Sequence, residues 1–539
     1  MDSSFYNPRL MAISKRITDA FESRTLDELV DPGRRITNGV RGPDWQDSEY
    51  KLIRLQDCKD WVVDAANAAS ISLEQFQENR RCKLEPEDIV VAIGGYVGNA
   101  AVFLDGAKAV IGQHSAVLPA RRNGPADSRF LLTYLNSYYG EALFQRFVSG
   151  TVQPGVNLED LRDLPAPLPH NVAQKYIGNK VRQAERMTDC ANSLAVSANA
   201  LVDLLVAGDL RESQLVAAQQ ALEAGDDSLD RAVLEGVRSY DIGNGDGPRL
   251  KTFAIRVTAT DLLSRMNAET YAPHYLESSR KLNRSPLDIT GLGDLVSKPI
   301  NNSIRGVADA LDVAGADIPM FRPADIADGV ANLVTAPRIT RDFEKEHEKS
   351  RVYPGDLVLG IAGSVGVLGR VPAGIEYGNI NGSSARIATR SDQRSAYLLA
   401  YLQSSCGQSE LLRYSVGSVQ KHLNLEDLPL VRVPKLKEPA ERYIGEKVRE
   451  SEQRRAWAKG LIAVAKALVE SLIDGQLTES QLIEAQQALD AGDDSLDRAI
   501  LARFKTDGID GTGEPLFQDL DQLYDVLKRA TEEMTHDDD

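Results

Sequence analysis

The chain has 539 residues, 42% of them hydrophobic and 26% charged, with a formal net charge of −17 at pH 7. That length exceeds what one core holds and predicts several domains, while the acid excess argues against a free-standing nucleic-acid binder. No run of eighteen or more consecutive apolar residues offers a membrane span, and the opening MDSSFYNPRLMAISKR has no apolar signal core, so a cytoplasmic protein is expected. Cys58, Cys82, Cys190 and Cys406 stand far apart without paired spacing, which argues against a disulfide framework or a zinc knuckle.

Taken in chain order, the first clear element is DIVVAIGG (88–95), a short apolar run bounded by glycine that predicts a buried strand. SRFLLTYLNSYYGEALFQRFVSG (128–150) then spaces its apolar residues by three and four, predicting paired helices beside the sheet, ended by glycine. In NLEDLRDLPAPLP (157–169) the prolines forbid further helix and close the globular unit. From Asn171 to Val206, the residues Ile177, Val181, Ala184, Ala191, Leu194, Ala198, Leu201 and Leu205 share one face, predicting an amphipathic helix about 54 Å long. A helix-turn segment, AQQALEAGDDSLDRAVL, follows at 218–234.

The second half repeats this order. DLVLGIAG (356–363) answers the strand, SAYLLAYLQSSCGQSELLRYSVG (395–417) the paired helices, and NLEDLPLVRVP (424–434) the closing segment. Ile444, Val448, Ser451, Ala458, Leu461, Ala465, Leu468 and Leu472 repeat the apolar stripe, and AQQALDAGDDSLDRAIL (485–501) matches the first helix-turn segment at 15 of 17 positions, 267 residues later. Two stripes of this length satisfy each other most simply by packing antiparallel. Two unrelated helices, each covering its own unit, remain the alternative. The tail, 504–539, has no first-half copy. Its LDQLYDVLKRATEEM predicts a short helix before a disordered acidic end.

The expected fold is α+β: two mixed α/β globular units separated by two long antiparallel helices, with an internal pseudo-two-fold repeat. Its predicted segments are 1–170, a helix and helix-turn unit at 171–248, 249–434, a second helical unit at 435–503, and the tail.

Catalytic signatures are sparse. His114, His170, His274, His347 and His422 have no recurring acid or serine setting. The glycines of GIAGSVGVLG do not open a helix as a dinucleotide loop must, and there is no GxxxxGK[ST] phosphate loop. DFEK (342–345) faintly resembles a nuclease site, but in a charge-alternating run such a match is cheap. There is no Asn-Pro-Pro or Asp-Pro-Pro segment of the kind that holds a flipped adenine.

The order of variable unit, helix, variable unit, helix resembles the specificity subunits of type I restriction-modification systems. The pieces that carry the resemblance are PGDLVLGIAGSVG (354–366), GSVQKHLNLEDLPLVRVP (417–434), their weaker first-half counterparts, and LVESLIDGQLTESQLIEAQQAL (468–489). The resemblance implies two target-recognition domains, each reading half of a split site in double-stranded DNA. It also implies helices that dock two methyltransferase subunits, with restriction or translocase subunits as further candidate partners. It implies no enzyme activity, cofactor or metal in this chain, S-adenosylmethionine belonging to the methyltransferase. A duplicated protein- or glycan-binding scaffold is the competing reading, and an autonomous DNA-modifying enzyme a third.

Only residues 249–434 carry a slight excess of bases, so DNA contact would rest on local clusters. In the first unit these are Arg34 and Arg35, then Arg80, Arg81 and Lys83, then Arg121 and Arg122. In the second they are Arg280, Lys281 and Arg284, then Arg338, Arg341, Lys345, Lys349 and Arg351, together with the turn residue Ser364. Each pair taken alone reads more simply as solvated surface. GGYVG replaces AGSVG in the first unit, so Tyr96 stands where Ser364 stands, in what is either an ordinary turn or a DNA-facing loop. Asp226, Asp227, Asp493 and Asp494, on the repeated segments, are the candidate docking residues for the methyltransferase.

Overall fold

Ile89–Ala92 is apolar throughout because both of its faces are covered. In the computed structural model of the chain, Ile89 and Val91 pack in one buried cluster with Phe130 and Phe144, while Val90 packs in another with Ile53 and Val110. Side chains alternate across a strand, so a strand buried on both sides has no polar positions to spare. Leu357 and Leu359 against Val358 repeat the division in the second half. The structure describes residues 6–121, 124–149, 154–238, 257–258, 263, 268–302, 307–417, 420–506 and 508–537.

The chain forms two compact units, residues 1–189 with 454–539, and residues 190–453. The first holds strands β1 (Thr37–Asn38), β2 (Cys58–Lys59), β3 (Val62–Val63), β4 (Ile89–Ala92), β5 (Ala100–Val102) and β6 (Ser115–Leu118), in sheet order β1-β6-β4-β5-β3-β2. The second holds β7 (Asn301–Asn302), β8 (Ile326–Ala327), β9 (Val330–Ala331), β10 (Leu357–Gly360), β11 (Leu368–Arg370) and β12 (Ser384–Ile387), in the order β7-β12-β10-β11-β9-β8. These are the same sheet built twice. In each, the central strand is antiparallel to both neighbours, and the inner hairpin strand joins by a parallel pairing, Val62 to Val102 and Val330 to Arg370.

Ser128–Leu135 and Tyr138–Phe147 form the helix pair of the first unit, Asp392–Gln403 and Ser405–Leu412 that of the second. Glycine does not end these pairs as the sequence suggested. The chain breaks between the two helices, where Ser137 and Ser404 cap the second helix of each pair, and the pairs stop at Phe147 and Leu412. The glycine that matters is internal: a Cβ on Gly140 would lie 2.3 Å from the Tyr134 carbonyl oxygen, and one on Gly407 1.8 Å from that of Tyr401.

The long helices α1 (Asn171–Ala207) and α2 (Glu438–Asp474) have 37 residues each. Each unit takes the opening half of one and the closing half of the other, which is the pairing that antiparallel helices make. Within the second unit, Ser451 Oγ donates to the Ala191 carbonyl at 2.7 Å. All of the predicted stripe is buried except Leu194, which is half-buried. By length and composition alone α1 is apolar enough to cross a membrane, although no uninterrupted apolar run is present. Its Ala198, Leu201, Val202 and Leu205 lie in the core of the second unit.

The helix-turn segments, Glu212–Glu223 with Ser228–Arg238 and Glu479–Asp490 with Ser495–Leu501, dock crosswise. In the first unit Lys180 Nζ and Tyr176 Oη, on α1, donate to Asp497 at 2.6 Å. In the second, Lys447 Nζ lies 2.7 Å from Asp230 and Tyr443 Oη donates to it at 2.8 Å. Each residue of one set is 267 positions from its equivalent in the other. Within each unit, one copy of the helix thus binds the other copy of the segment. Beyond the segment, Phe504, Phe517 and Leu523 of the tail are buried in the first unit, and the last helix runs Leu520–Asp537.

Candidate nucleic-acid interface

At one end of each sheet the central strand runs into its glycine turn, and the backbone of that turn is held identically in both units. In the first, Gly98 N–H donates to the Ala92 carbonyl at 2.9 Å, Ile93 N–H to His114 at 2.9 Å, and Val156 N–H to Ile93 at 3.0 Å. In the second, Gly366 donates to Gly360 at 2.9 Å, Ile361 to Ser383 at 2.8 Å, and Leu423 to Ile361 at 2.9 Å. The returning loop bridges the turn through Gly94 and Gly155 in one unit and Ala362 and His422 in the other. Gly95 and Gly363 both adopt φ +77° to +78°, a left-handed conformation that glycine takes without strain. Part of each return loop, 150–153 and 418–419, lies outside the described residues.

On this shared backbone the side chains differ. Tyr96, 79% exposed, stands where the second unit has exposed Ser364; His114 stands in place of Ser383, and Gly155 in place of His422. The sheet's edge hairpin differs too. Its two-residue turn is Asp328-Gly329 in the second unit, at φ 51° and 77°, the ordinary chemistry for a turn needing two left-handed residues. In the first unit it is Asp60-Trp61, at φ 45° and 70°. A bulky residue held there costs about 1–3 kcal/mol, and its ring packs half-buried against the core beside the cleft.

Trp61 and Tyr96 line one cleft of about 1100 Å3, together with Trp45, Arg54, Gln56, Asn99, Gln113 and His114. Trp45 is 52% exposed, and the Arg54 guanidinium stacks 5.5 Å from its ring centre while its Nε reaches Asp57 at 3.3 Å. In the second unit the equivalent Arg322 is closed against Asp325 by two bonds of 2.8 and 2.9 Å. The corresponding turn region there opens a smaller cleft of about 710 Å3, bordered by Ile361, Ala362, Gly382 and residues 420–426. Cys58, also on the first cleft, has its thiol pushed up to about 12 by burial and then by Asp57, so it stays protonated at neutral pH. This wall offers hydrogen-bond donors, acceptors and aromatic faces, without an activated nucleophile. Among the described residues no group of three or more His, Cys, Asp or Glu is placed to hold a metal ion.

The basic clusters fare unevenly. Arg34 is committed to Asp88 by bonds of 2.9 and 2.6 Å, with a third to the Lys83 carbonyl. Arg35, Arg80, Lys83 and Arg121 are exposed; Arg81 is exposed but donates to Thr37 at 3.2 Å, and Arg122 lies outside the described residues. On helix Pro273–Arg284, Arg280 is half-buried, Lys281 lies 3.7 Å from Glu277, and Arg284 is exposed. Arg351 is clasped by buried Glu344 through two 2.7 Å bonds, which hold its guanidinium well above the ordinary range. Arg338 caps the Leu333 carbonyl, Arg341 pairs with Asp317 at 2.9 Å, and Lys345 with Asp342 at 3.4 Å; Lys349 is exposed. The charge-alternating run around DFEK folds as a short helix, Arg341–Lys345, anchored by its buried Glu344.

Of the aspartates on the repeated segments, Asp226 and Asp493 accept from the backbone N–H groups of Ser228 and Ser495, each at 2.9 Å. Asp227 pairs with Arg231 at 2.6 Å and Asp494 with Arg498 at 2.9 Å. Their neighbours Asp230 and Asp497, which sequence reasoning passed over, make the interhelical bonds. The available signal was a Tyr and a Lys four residues apart, Tyr176 with Lys180 and Tyr443 with Lys447, repeated on a stripe otherwise apolar.

Residues 19–194 match the family model of the type I restriction modification DNA specificity domain. That stretch of the first half is thus similar to the DNA specificity domain of type I restriction-modification systems. The specificity-domain match falls on the half whose motifs carried the resemblance more weakly. A 130-residue stretch is 31% identical to the specificity subunit of the type I restriction enzyme EcoBI from Escherichia coli, covering 24% of this chain and about a quarter, 27%, of that relative. Among solved structures, the type I restriction-modification S subunit from M. genitalium is matched over 84% of this chain and 95% of its own, at 14% identity and a TM-score of 0.34. The HsdS subunit from Thermoanaerobacter tengcongensis is matched over 85% and 97%, at 16% identity and a TM-score of 0.26.

Proposed function

We propose that the chain is the non-catalytic DNA-specificity subunit of a type I restriction-modification complex, working in the cytoplasm, with each unit reading one half of a bipartite target. The observation that carries this reading is the duplicated sheet end. One backbone frame, fixed by the same hydrogen bonds in both units, presents different exposed side chains. Two readers of different half-sites need this arrangement, because the frame sets position on the duplex and the side chains choose the bases. The helices and the outer faces of the repeated segments, with Asp226, Asp227, Asp493 and Asp494, are proposed to dock two methyltransferase subunits. S-adenosylmethionine chemistry and cleavage would belong to those methyltransferase subunits and to restriction or translocase subunits.

The test is modular. Exchanging residues 249–434 for the same region of a relative should change one half of the methylated site and leave the other, as read by methylome sequencing. Change in both halves, or in neither, would remove the assignment of one unit to one half. A scaffold for proteins or glycans instead gives no sequence preference in a gel shift with the co-purified partner present.

A further inference from the structure

We propose that the 1100 Å3 cleft of the first unit is its base-reading surface, and that Tyr96 and Trp61 are the side chains that set specificity there, through their aromatic faces. The inference rests on the DNA-reading function proposed above and goes on to name the site and its mode of contact. Three independent features meet in the cleft. Tyr96 is the most exposed aromatic side chain among the large hydrophobic residues left in solvent, and it is carried at the tip of a turn whose backbone is rigidly bonded. A tyrosine spread in water at such a place does nothing for the core.

Trp61 is held in a left-handed backbone conformation at the position where the second unit uses Gly329. Nothing in the hairpin calls for tryptophan, since the other copy closes the same turn with Asp-Gly. The strain is kept for where it puts the ring, half-buried against the edge of the core and on the wall of the cleft. Finally, Arg54 remains partly released. It holds Asp57 by Nε alone and lies over Trp45, whereas Arg322 is locked to Asp325 by two bonds. A planar donor fork next to aromatic faces suits base edges and thymine methyl groups in a major groove.

The second unit replaces both aromatic side chains, with Ser364 for Tyr96 and Gly329 for Trp61, and adds His422 opposite the turn. Its reading is therefore by hydrogen bonding where the first unit's is by aromatic contact. The exposed arginines and lysines outside the cleft, such as Arg80 and Arg121, then position the duplex on its phosphates.

The experiment uses the full chain co-purified with its methyltransferase partner and selects from a duplex library with both half-sites randomised. Tyr96→Ser and Trp61→Gly install the residues of the second unit, and Leu73→Ser alters an exposed apolar side chain outside the cleft. We expect Tyr96→Ser and Trp61→Gly each to lose about 10-fold or more of base discrimination at one or two positions of one half-site, with the other half-site and the Leu73→Ser variant unchanged. Thermal unfolding accompanies each variant. Tyr96 is solvent-exposed, so Tyr96→Ser retains the fold and decides the matter even where Trp61→Gly does not. A wild-type complex without sequence preference overturns the DNA-reading function itself. A wild-type preference left intact by Tyr96→Ser overturns only the assignment of the cleft, and loss spread over both half-sites overturns it too.

Discussion

Lys180 and Asp497 show how a single residue pair can matter more than the charges around it. Both side chains are 1% exposed, and Asp497 also accepts from Tyr176 and Tyr524. A buried carboxylate so completely satisfied is stable only while its cation is present. Burial pushes the Asp497 carboxyl up, but Lys180 and the two phenols hold it below the ordinary aspartate value. A depressed value in the folded state means stability that is present above the unfolded pKa of about 3.9 and lost as pH falls through the folded one. Asp497→Asn should therefore destabilise the first unit by roughly 3–5 kcal/mol near neutrality, read as a lower urea midpoint. The variant should also lose the part of the acid sensitivity below about pH 4 that this carboxylate causes. Urea midpoints equal to wild type at pH 7 would show that Asp497 is not the anchor of the segment.

At the scale of elements, the tail decides an asymmetry that the repeat hides. Leu461 is fully buried while its equivalent Leu194 is half-buried. In the first unit the tail's Phe517 presses on α2 so closely that a Cβ on Gly460 would lie 2.8 Å from its ring. The tail has no first-half copy, so that extra cover has no counterpart in the repeat. Deleting residues 504–539 should expose the outer stripe of α2 around Leu461 and Ala465. We expect faster hydrogen exchange at Arg454–Asp474 and Ser495–Leu501, with Asp392–Gln403 of the second unit unchanged. Protection unaltered in both regions would mean that the tail helix only rests on the surface. The same scale explains which predicted elements were legible. The strands 89–92 and 357–360 follow from short apolar runs bounded by glycine, and both long helices from the period of their apolar residues, signals written locally. The pairing of helices was legible too, but the glycine that matters was misplaced, because Gly140 and Gly407 act by close approach to the preceding helix, a contact that hydrophobic period does not encode.

For the whole molecule, a net charge of −17 fits the proposed DNA-reading function if phosphate contact is shared with a partner. Each neutralised phosphate adds about 0.9 to the slope of log affinity against log salt. The chain alone should thus bind duplex DNA weakly and with a shallow slope, and a complex with the proposed methyltransferase partner tightly and with a steeper one, both measurable by fluorescence anisotropy. Equal slopes would mean that the partner adds no phosphate contacts. What the sequence determined by itself was whatever is written locally along the chain: the duplication at an offset of 267, the equal helices, the buried strands, and through the ordered motifs a resemblance to the type I specificity subunits. Tertiary structure decided everything that depends on which distant residues meet. It spent Arg34 and Arg351 on Asp88 and Glu344, turned the repeated segments crosswise through Asp230 and Asp497, and gathered Trp61, Tyr96 and Arg54 into one cleft. The physical reason is range. Hydrophobic period is set by neighbours a few residues apart, whereas a charge or an aromatic face acquires its role from partners that folding brings from tens to hundreds of residues away.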